Sequence, residues 1–355
     1  MKKFVTKCIA FFLILVLIFV PFNVLLDPYN VFHADGLVNN GVEPNKNYIK
    51  MRHVIKNPDL YDSLLFGSSR VGFLDVERMN DGTYYDMMYS EGLPAEHLQN
   101  LKDLIARGIV PKNILLGVDD ISWFVDPEFH NNILYRAPFP WSGDIFDKAG
   151  FYLKYFDLIT TRQSIKTIRE HVVNDEEWSD RLLRTGTENL DIPSQFDIAN
   201  DFPYWADYYM PREEVFEEIQ EFIDLCEEYD IRLTVFTNPL FHRTYTKGIE
   251  NGYLEFLKGL SEITDFYNFS GYNNLTVDMD NYYENSHYTR KIGDKMIDVM
   301  FYGKTDVQLM EQGFGVYVEK GRGDALLKIL KDQAVNYGIE INTYKDTLNK
   351  SVEEY

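Results

Sequence analysis

Residues 64–70, Leu-Leu-Phe-Gly-Ser-Ser-Arg, constrain the fold of this chain more than any other stretch: three bulky apolar residues stop at a glycine followed by two hydroxyls. So short and uninterrupted an apolar run is the pattern of a strand buried on both faces, and such strands belong to parallel sheets. Ligands bind such sheets outside the carboxyl ends of the strands. The two serines therefore either stand at a reactive position or cap the turn that follows.

Further runs repeat the pattern with helical periodicity between them. Tyr84–Tyr89 closes with Ser90-Glu91-Gly92, after which Pro94 opens a helix bearing Leu98, Leu101 and Ile105 up to Gly108. Asn113–Val118 is a third strand, ending at Asp119-Asp120. A helix opening at Pro211 puts Val215, Ile219, Phe222 and Cys226 on one stripe and leads to a fourth strand, Arg232–Thr237, and to Asn238-Pro239. A helix near 253–262 precedes a short fifth strand near 266–269, and another carries Ile292, Met296 and Val299. This alternation predicts an α/β fold with a doubly wound, mostly parallel five-stranded sheet covered on both faces.

Between 121 and 210 the rhythm is lost, and all four tryptophans, Trp123, Trp141, Trp178 and Trp205, lie there. This stretch reads as an insertion whose aromatics form a small core or line a cleft. The predicted organisation is a basic tip and membrane anchor over 1–27, a linker and first helix over 28–59, the main domain over 60–303 and a carboxyl-terminal extension over 304–355. The extension contains an alternating stretch at 314–318 and a helix from Asp324 to Tyr337, and its last dozen residues are charged and read as loose.

Lys2, Lys3 and Lys7 precede a run from Cys8 to Leu26 broken only by Pro21 and Asn23. At helical rise it spans roughly 28 Å, about the hydrocarbon thickness of a bilayer. Lysines before it and acidic residues after it place the amino terminus in the cytoplasm and the main domain outside, in a single-pass cell-membrane protein. A cleaved signal peptide is the competing reading, and no small-x-small site follows the run. The 355 residues carry a formal net charge of -21, which opposes binding to nucleic acid or to an anionic lipid surface through a general electrostatic field. Cys226 stands alone beyond the apolar run, so no intrachain disulfide is predicted. No cysteines or histidines fall at metal-ligand spacing, and no metal is predicted.

Acyl transfer needs a nucleophilic hydroxyl, a base beside it, an acid that orients the base, and N–H donors for the oxyanion. Ser69 follows the first strand and can be the nucleophile, with its own N–H as a donor. His287 can be the base. Glu284, three residues earlier, would reach the imidazole across one helical turn. Gly92 would bring a second backbone N–H close to the reacting carbonyl.

On these residues the chain resembles the SGNH, or GDSL-type, hydrolase superfamily over roughly residues 60–300. Within it the likeness is to the membrane-anchored branch that includes the D-alanyl transfer protein and alginate-type O-acetylation proteins. Phe66-Gly67-Ser68-Ser69 stands at the serine block, Ser90-Glu91-Gly92 at the oxyanion-glycine block, and Glu284-Asn285-Ser286-His287 at the acid-x-x-histidine block, with Glu for the usual Asp. The resemblance implies a three-layer, flavodoxin-like sandwich without a cofactor. It further implies a serine esterase or O-acyltransferase acting on acylated cell-surface polysaccharide, with a multi-spanning membrane acyltransferase as partner.

The third family block ends in an asparagine, where this chain has Asp119. An ionised carboxylate cannot donate to an oxyanion. Either Asp119 points away, with Asn238 as the substitute donor, or turnover is weak. Singly, the serines can be helix caps and His287 a turn residue, and His242 is an alternative base. Arg70 reads as a structural salt bridge, with a substrate anion as the other partner. The rival from another class is a non-catalytic module that binds glycan or a partner in the same crevice. A phosphate-binding reading is weak, because no glycine-rich loop follows the first strand.

Overall fold

A computed structural model describes residues 2–169, 176–192, 203, 205–339 and 341. The chain begins with α1 (Lys2–Leu26), α2 (Lys46–Lys56), β1 (Ser63–Phe66), β2 (Tyr84–Asp86), α3 (Pro94–Ile105) and β3 (Asn113–Val118). Then come α4 (Asp120–Phe124), α5 (Ile145–Leu153), α6 (Leu158–Arg169), α7 (Glu176–Arg184), α8 (Glu214–Glu228) and β4 (Arg232–Thr237). The remaining elements are α9 (His242–Glu250), α10 (Tyr253–Ile263), β5 (Phe266–Asn268), α11 (Arg290–Tyr302), α12 (Val307–Glu311), β6 (Val316–Val318) and α13 (Gly323–Asn336). They form two units, Met1–His53 with His130–Leu183 and Val54–Phe129 with Arg184–Tyr355.

The second unit is built on one sheet in the order β2-β1-β3-β4-β5-β6. The first five strands run parallel, and β6 pairs antiparallel with β5 through Phe266↔Val318 and Asn268↔Val316. Among the described residues the sheet therefore has six strands where five were predicted. The alternating 314–318 stretch, assigned by sequence to the extension, supplies the sixth, because its period of two lets Val318 face inward while Tyr317 stays half exposed. At the opposite edge the Asp86 N–H donates to the Thr185 carbonyl at 2.9 Å, which covers the outer strand.

β1 and β3 are buried along their whole length, as uninterrupted apolar strands in a parallel sheet must be. Leu65, Leu115 and Phe236 join Val71, Phe73, Met88, Tyr282, Tyr288, Ile292 and Met296 in one core cluster. Each such side chain contributes about 1.5–3 kcal/mol relative to exposure. The Phe66 ring packs 5.9 Å from Phe222, which lies with Val215, Ile219 and Cys226 on the buried stripe of α8. The chain leaves β1 outward to β2 and returns across it to β3, so the strand order reverses between β1 and β3. Ser69 follows one of these strands and Asp119 the other.

In the first unit, α1 is long and apolar enough to cross a membrane, with a mean hydropathy of 2.9 over its best 18-residue window. Asn23, near its end, is buried and donates to the Tyr155 carbonyl at 3.4 Å and the Thr161 hydroxyl at 3.2 Å. An aromatic core follows, in which the Tyr48 ring stacks on Trp141 at 5.6 Å and Phe151 at 5.5 Å. The Asn45 amide ties this core together by donating to the Leu134 and Ala137 carbonyls and the Tyr155 hydroxyl. The stretch 121–210 thus contributes to both units: Trp141 and Trp178 pack in the first, while Trp123 and Trp205 belong to the second. Residues 170–175, 193–202 and 204 of that stretch, and 340 and 342–355 of the extension with its charged last dozen, lie outside the described residues.

Candidate active site

β1 ends at Phe66, and Gly67 turns the chain sharply. A Cβ on Gly67 would stand 2.7 Å from Val71 Cγ1 and 3.0 Å from the Gly117 carbonyl oxygen. The turn leads into a short 3-10 helix, Ser69–Phe73, with Ser68 at its cap position. The capping reading of the serines does not hold for Ser68. Its side chain makes no cap bond and instead donates to Asp119 Oδ2 at 2.7 Å. Ser69 is half-buried, and its Oγ lies 2.7 Å from Nε2 of His287, 218 residues further along the chain.

His287 sits in a tight antiparallel loop. Tyr282 bridges Tyr288, and the Tyr283 N–H donates to the His287 carbonyl at 2.8 Å. Glu284 faces the imidazole Nδ1 from within this loop, and its other oxygen accepts the Ser286 N–H at 3.0 Å. The single helical turn predicted here is replaced by a hairpin-like loop. The core residues Tyr282 and Tyr288 pull its two ends inward, which a helix would not allow. With Nδ1–H donating to Glu284, the Nε2 lone pair faces the Ser69 hydroxyl. Phe73 packs 5.3 Å from the His287 ring and 4.7 Å from Tyr283, which holds the imidazole from behind.

Burial works to raise the Glu284 carboxyl. The hydrogen bond and charge of His287, the Ser286 N–H and Arg70 outweigh it and hold the group below the ordinary carboxylate range. His287 and Glu284 keep side-chain exposures of 26% and 37%, so both reach solvent beside the half-buried Ser69.

Asp119 is fully buried and points away from this opening. Its Oδ2 accepts from Ser68, from Arg70 Nη1 at 2.9 Å and from the Asn238 amide at 3.1 Å, while Oδ1 accepts the Ile121 N–H at 3.0 Å. Neither Asp119 nor Asn238 is therefore an oxyanion donor here. The Asn238 amide nitrogen is turned onto Asp119, its carbonyl oxygen accepts from Tyr288 at 3.2 Å, and the whole residue is buried, so it belongs to a polar network behind the opening. The predicted Gly92 donor is corrected as well, because its N–H closes a turn onto the Tyr89 carbonyl at 3.0 Å. The glycine is required for close approach: a Cβ there would stand 2.5 Å from the Gly67 carbonyl oxygen and 2.7 Å from His97 Nε2. Of the predicted donors the Ser69 N–H remains, at the first position of a helical turn, where amides have no acceptor within the turn.

Arg70 is the hub of the network. Nη1 donates to Asp120 Oδ1 at 2.7 Å and pairs with Asp119, and Nε donates to the Ser286 carbonyl at 3.0 Å. Burial opposes its charge, yet Asp120 and Asp119 raise its pKa above the ordinary value. Burial also pushes Asp120 up to about 6, with Arg70 pulling it down and Asp119 adding to the rise. His242 opens α9, with its ring 4.4 Å from Phe241, and lines a separate cavity of about 280 Å³ with Arg243, Tyr272 and Tyr337. The Ser69 hydroxyl is served by His287 instead.

The roles of three residues of this site escaped the sequence reading. Ser68 and Asp120 are each overshadowed by a neighbour of the same chemistry, although Arg70 after one strand and two adjacent carboxylates after another was a pairing signal. His97 lies on the buried face of α3, with Nε2 3.2 Å from the Gly67 N and 3.0 Å from its carbonyl oxygen. Its position beside Leu98 on the apolar stripe was the available sign. Among the described residues no cluster of His, Cys, Asp or Glu can hold a metal ion. No protein-family model matches the chain, and a search of curated proteins finds no match.

Proposed function

We propose that the chain is a membrane-anchored, extracytoplasmic SGNH-like serine esterase or O-acyltransferase that acts on acyl groups of a cell-surface polysaccharide. The observation that carries this reading is the continuous relay from the half-buried Ser69 hydroxyl through His287 to Glu284. It lies beside the reversal in strand order, where α/β sheets bind ligands. The mostly parallel sheet with interleaved helices supports a three-layer sandwich, and Lys2, Lys3 and Lys7 before α1 support a cytoplasmic amino terminus.

In this reading Ser69 Oγ attacks the acyl carbonyl carbon while its proton passes to His287 Nε2. Glu284 keeps the imidazole in the receptive tautomer and stabilises the imidazolium. The Ser69 N–H donates to the oxyanion. Collapse of the tetrahedral intermediate breaks the ester bond, and the departing sugar oxygen takes the proton from His287. Water or a second sugar hydroxyl then gives its proton to His287 as its oxygen attacks the acyl carbon, and Ser69 Oγ takes that proton back as the acyl–Oγ bond breaks. A multi-spanning acyltransferase as acyl donor fits the transferase form of the reading.

The test is a fluorophosphonate probe on the full chain in detergent or nanodiscs. Labelling is expected on wild type and lost in Ser69→Ala, and release of acetate from O-acetylated glycan is expected to fall by about a millionfold in the same variant. Labelling that persists in Ser69→Ala overturns the assignment. A second reading, a non-catalytic glycan-binding module, is favoured by the engagement of Gly92, Asp119 and Asn238 elsewhere. Probe labelling with no acyl turnover and saturable glycan binding would select it.

A further inference from the structure

The first unit exposes apolar side chains that its own core does not use. Ile145, Phe146, Leu153, Leu158 and Ile159, on α5, on α6 and beside the turn between them, are between 61% and 81% exposed. Exposed apolar surface of this extent on neighbouring helices marks an interaction site. Leu153 and Leu158 among them adjoin α1. A groove of about 430 Å³ is lined on one side by Phe12, Val16 and Phe19 of α1 and on the other by Leu153, Phe156 and Leu158.

Phe19 lies seven residues, about 10 Å of helix, before the end of α1. A turn that shares a groove with Phe19 and Val16 therefore reaches below the outer end of the spanning helix. The charge of the segment is the reverse of the chain's. Residues 145–169 hold five cations, Lys148, Lys154, Arg162, Lys166 and Arg169, against Asp147 and Asp157, in a chain of net charge -21. The Asp157 carboxylate caps α6 by accepting the Thr160 N–H at 2.6 Å. Lys154, Arg162, Lys166 and Arg169 are exposed, and the Lys154 and Lys166 ammonium groups also donate to the Asn131 and Gly41 carbonyls at 3.0 and 3.4 Å. Long basic side chains that flank an apolar face can lay their stems on it and carry their charge to a phosphate layer.

We propose that the segment carrying α5 and α6 lies in the outer leaflet beside α1, with its exposed apolar side chains among acyl chains and its cations on the headgroups of anionic phospholipid. The inference rests on α1 crossing the bilayer. Repulsion by the chain's overall negative charge is overcome locally, because screening limits each group to partners within about 8 Å at physiological salt.

The wild-type full chain is reconstituted in nanodiscs that contain phosphatidylglycerol with a photoactivatable diazirine in its acyl chain, and labelled peptides are mapped after irradiation. Labels are expected on 145–169 as well as on 2–26. Replacing the phosphatidylglycerol by phosphatidylcholine with the same diazirine is expected to lower labelling of 145–169 at least threefold, with 2–26 unchanged. Labels on 2–26 alone overturn the proposal and leave the groove to a protein partner or to solvent. Equal labelling of 145–169 in both lipids overturns the anionic preference. Absence of label from 2–26 overturns the membrane anchor itself, a separate failure.

Discussion

Arg70 donates from Nε to the Ser286 carbonyl at 3.0 Å, tying the residue after the candidate nucleophile to the residue before the candidate base. The same guanidinium holds Asp120 and Asp119 behind the serine. One buried cation thus sets the spacing between two loops that the chain separates by more than two hundred residues, and the positioning of Ser69 against His287 depends on it.

Removal of this cation leaves two carboxylates buried without a counter-charge. Arg70→Met is expected to cost about 3–5 kcal/mol of stability. Arg70→Lys keeps a charge but loses the planar fork, so it is expected to fold with lower stability and with kcat reduced more than KM is raised. Urea unfolding and steady-state hydrolysis of an aryl acetate check both.

The raised carboxyl of Asp120 has a defined sign in the pH dependence of stability. Between its ordinary value of 3.8 and about 6 the folded state keeps a proton that the unfolded state has released, so this group lowers stability as pH rises across that window and adds no slope above it. Asp120→Asn is expected to abolish this component. The check is the difference in unfolding free energy between variant and wild type at several pH values from 4 to 7, which should change across the window and flatten above it.

Glu284 carries the opposite sign. Its folded-state value lies below the ordinary 4.5, so the stability it contributes is complete above that pH and is lost as pH falls through the depressed value. Glu284→Gln is expected to flatten the acid limb of the unfolding curve below pH 4.5. Acyl turnover at pH 7 is expected to fall by about 100- to 10,000-fold, because the imidazole loses its orienting charge. A variant with wild-type turnover would remove Glu284 from the relay.

Gly92 acts in packing. Gly92→Ala drives a methyl group into the Gly67 carbonyl oxygen, a backbone atom that moves only with the serine turn. The expected cost is about 1–3 kcal/mol, read as a lowered unfolding midpoint together with a slower reaction of Ser69 with the fluorophosphonate probe.

Cys226 is buried on α8, and burial pushes its thiol up to about 12. Native protein at pH 8 is expected to react with a maleimide at this residue roughly tenfold or more slowly than urea-unfolded protein. Equal rates would place α8 outside the packed core.

The strands were legible because their signals are local. Asn113–Val118 and Arg232–Thr237 are strands over the residues expected, since a short β-branched and apolar run that stops at a turn needs no distant partner to be recognised. β6 was missed as a member of the sheet for the converse reason. Three residues of alternation show a strand but not the edge it joins, and its pairing with β5 is a tertiary choice. α9 also went unread, because His242–Glu250 is polar over much of its length and its buried face is only Thr244, Tyr245, Gly248 and Ile249.

By itself the sequence determined the α/β alternation, the apolar amino-terminal helix, and the candidates Ser69, His287 and Glu284, all of which are written in hydrophobic period, turn residues and side-chain chemistry. Only the tertiary structure decided which way each polar group turns. Asp119, Asn238 and the Gly92 N–H had the chemistry or the position to face a ligand, yet buried polar groups must find partners, and Arg70, Ser68, Tyr288 and the Tyr89 carbonyl claim them.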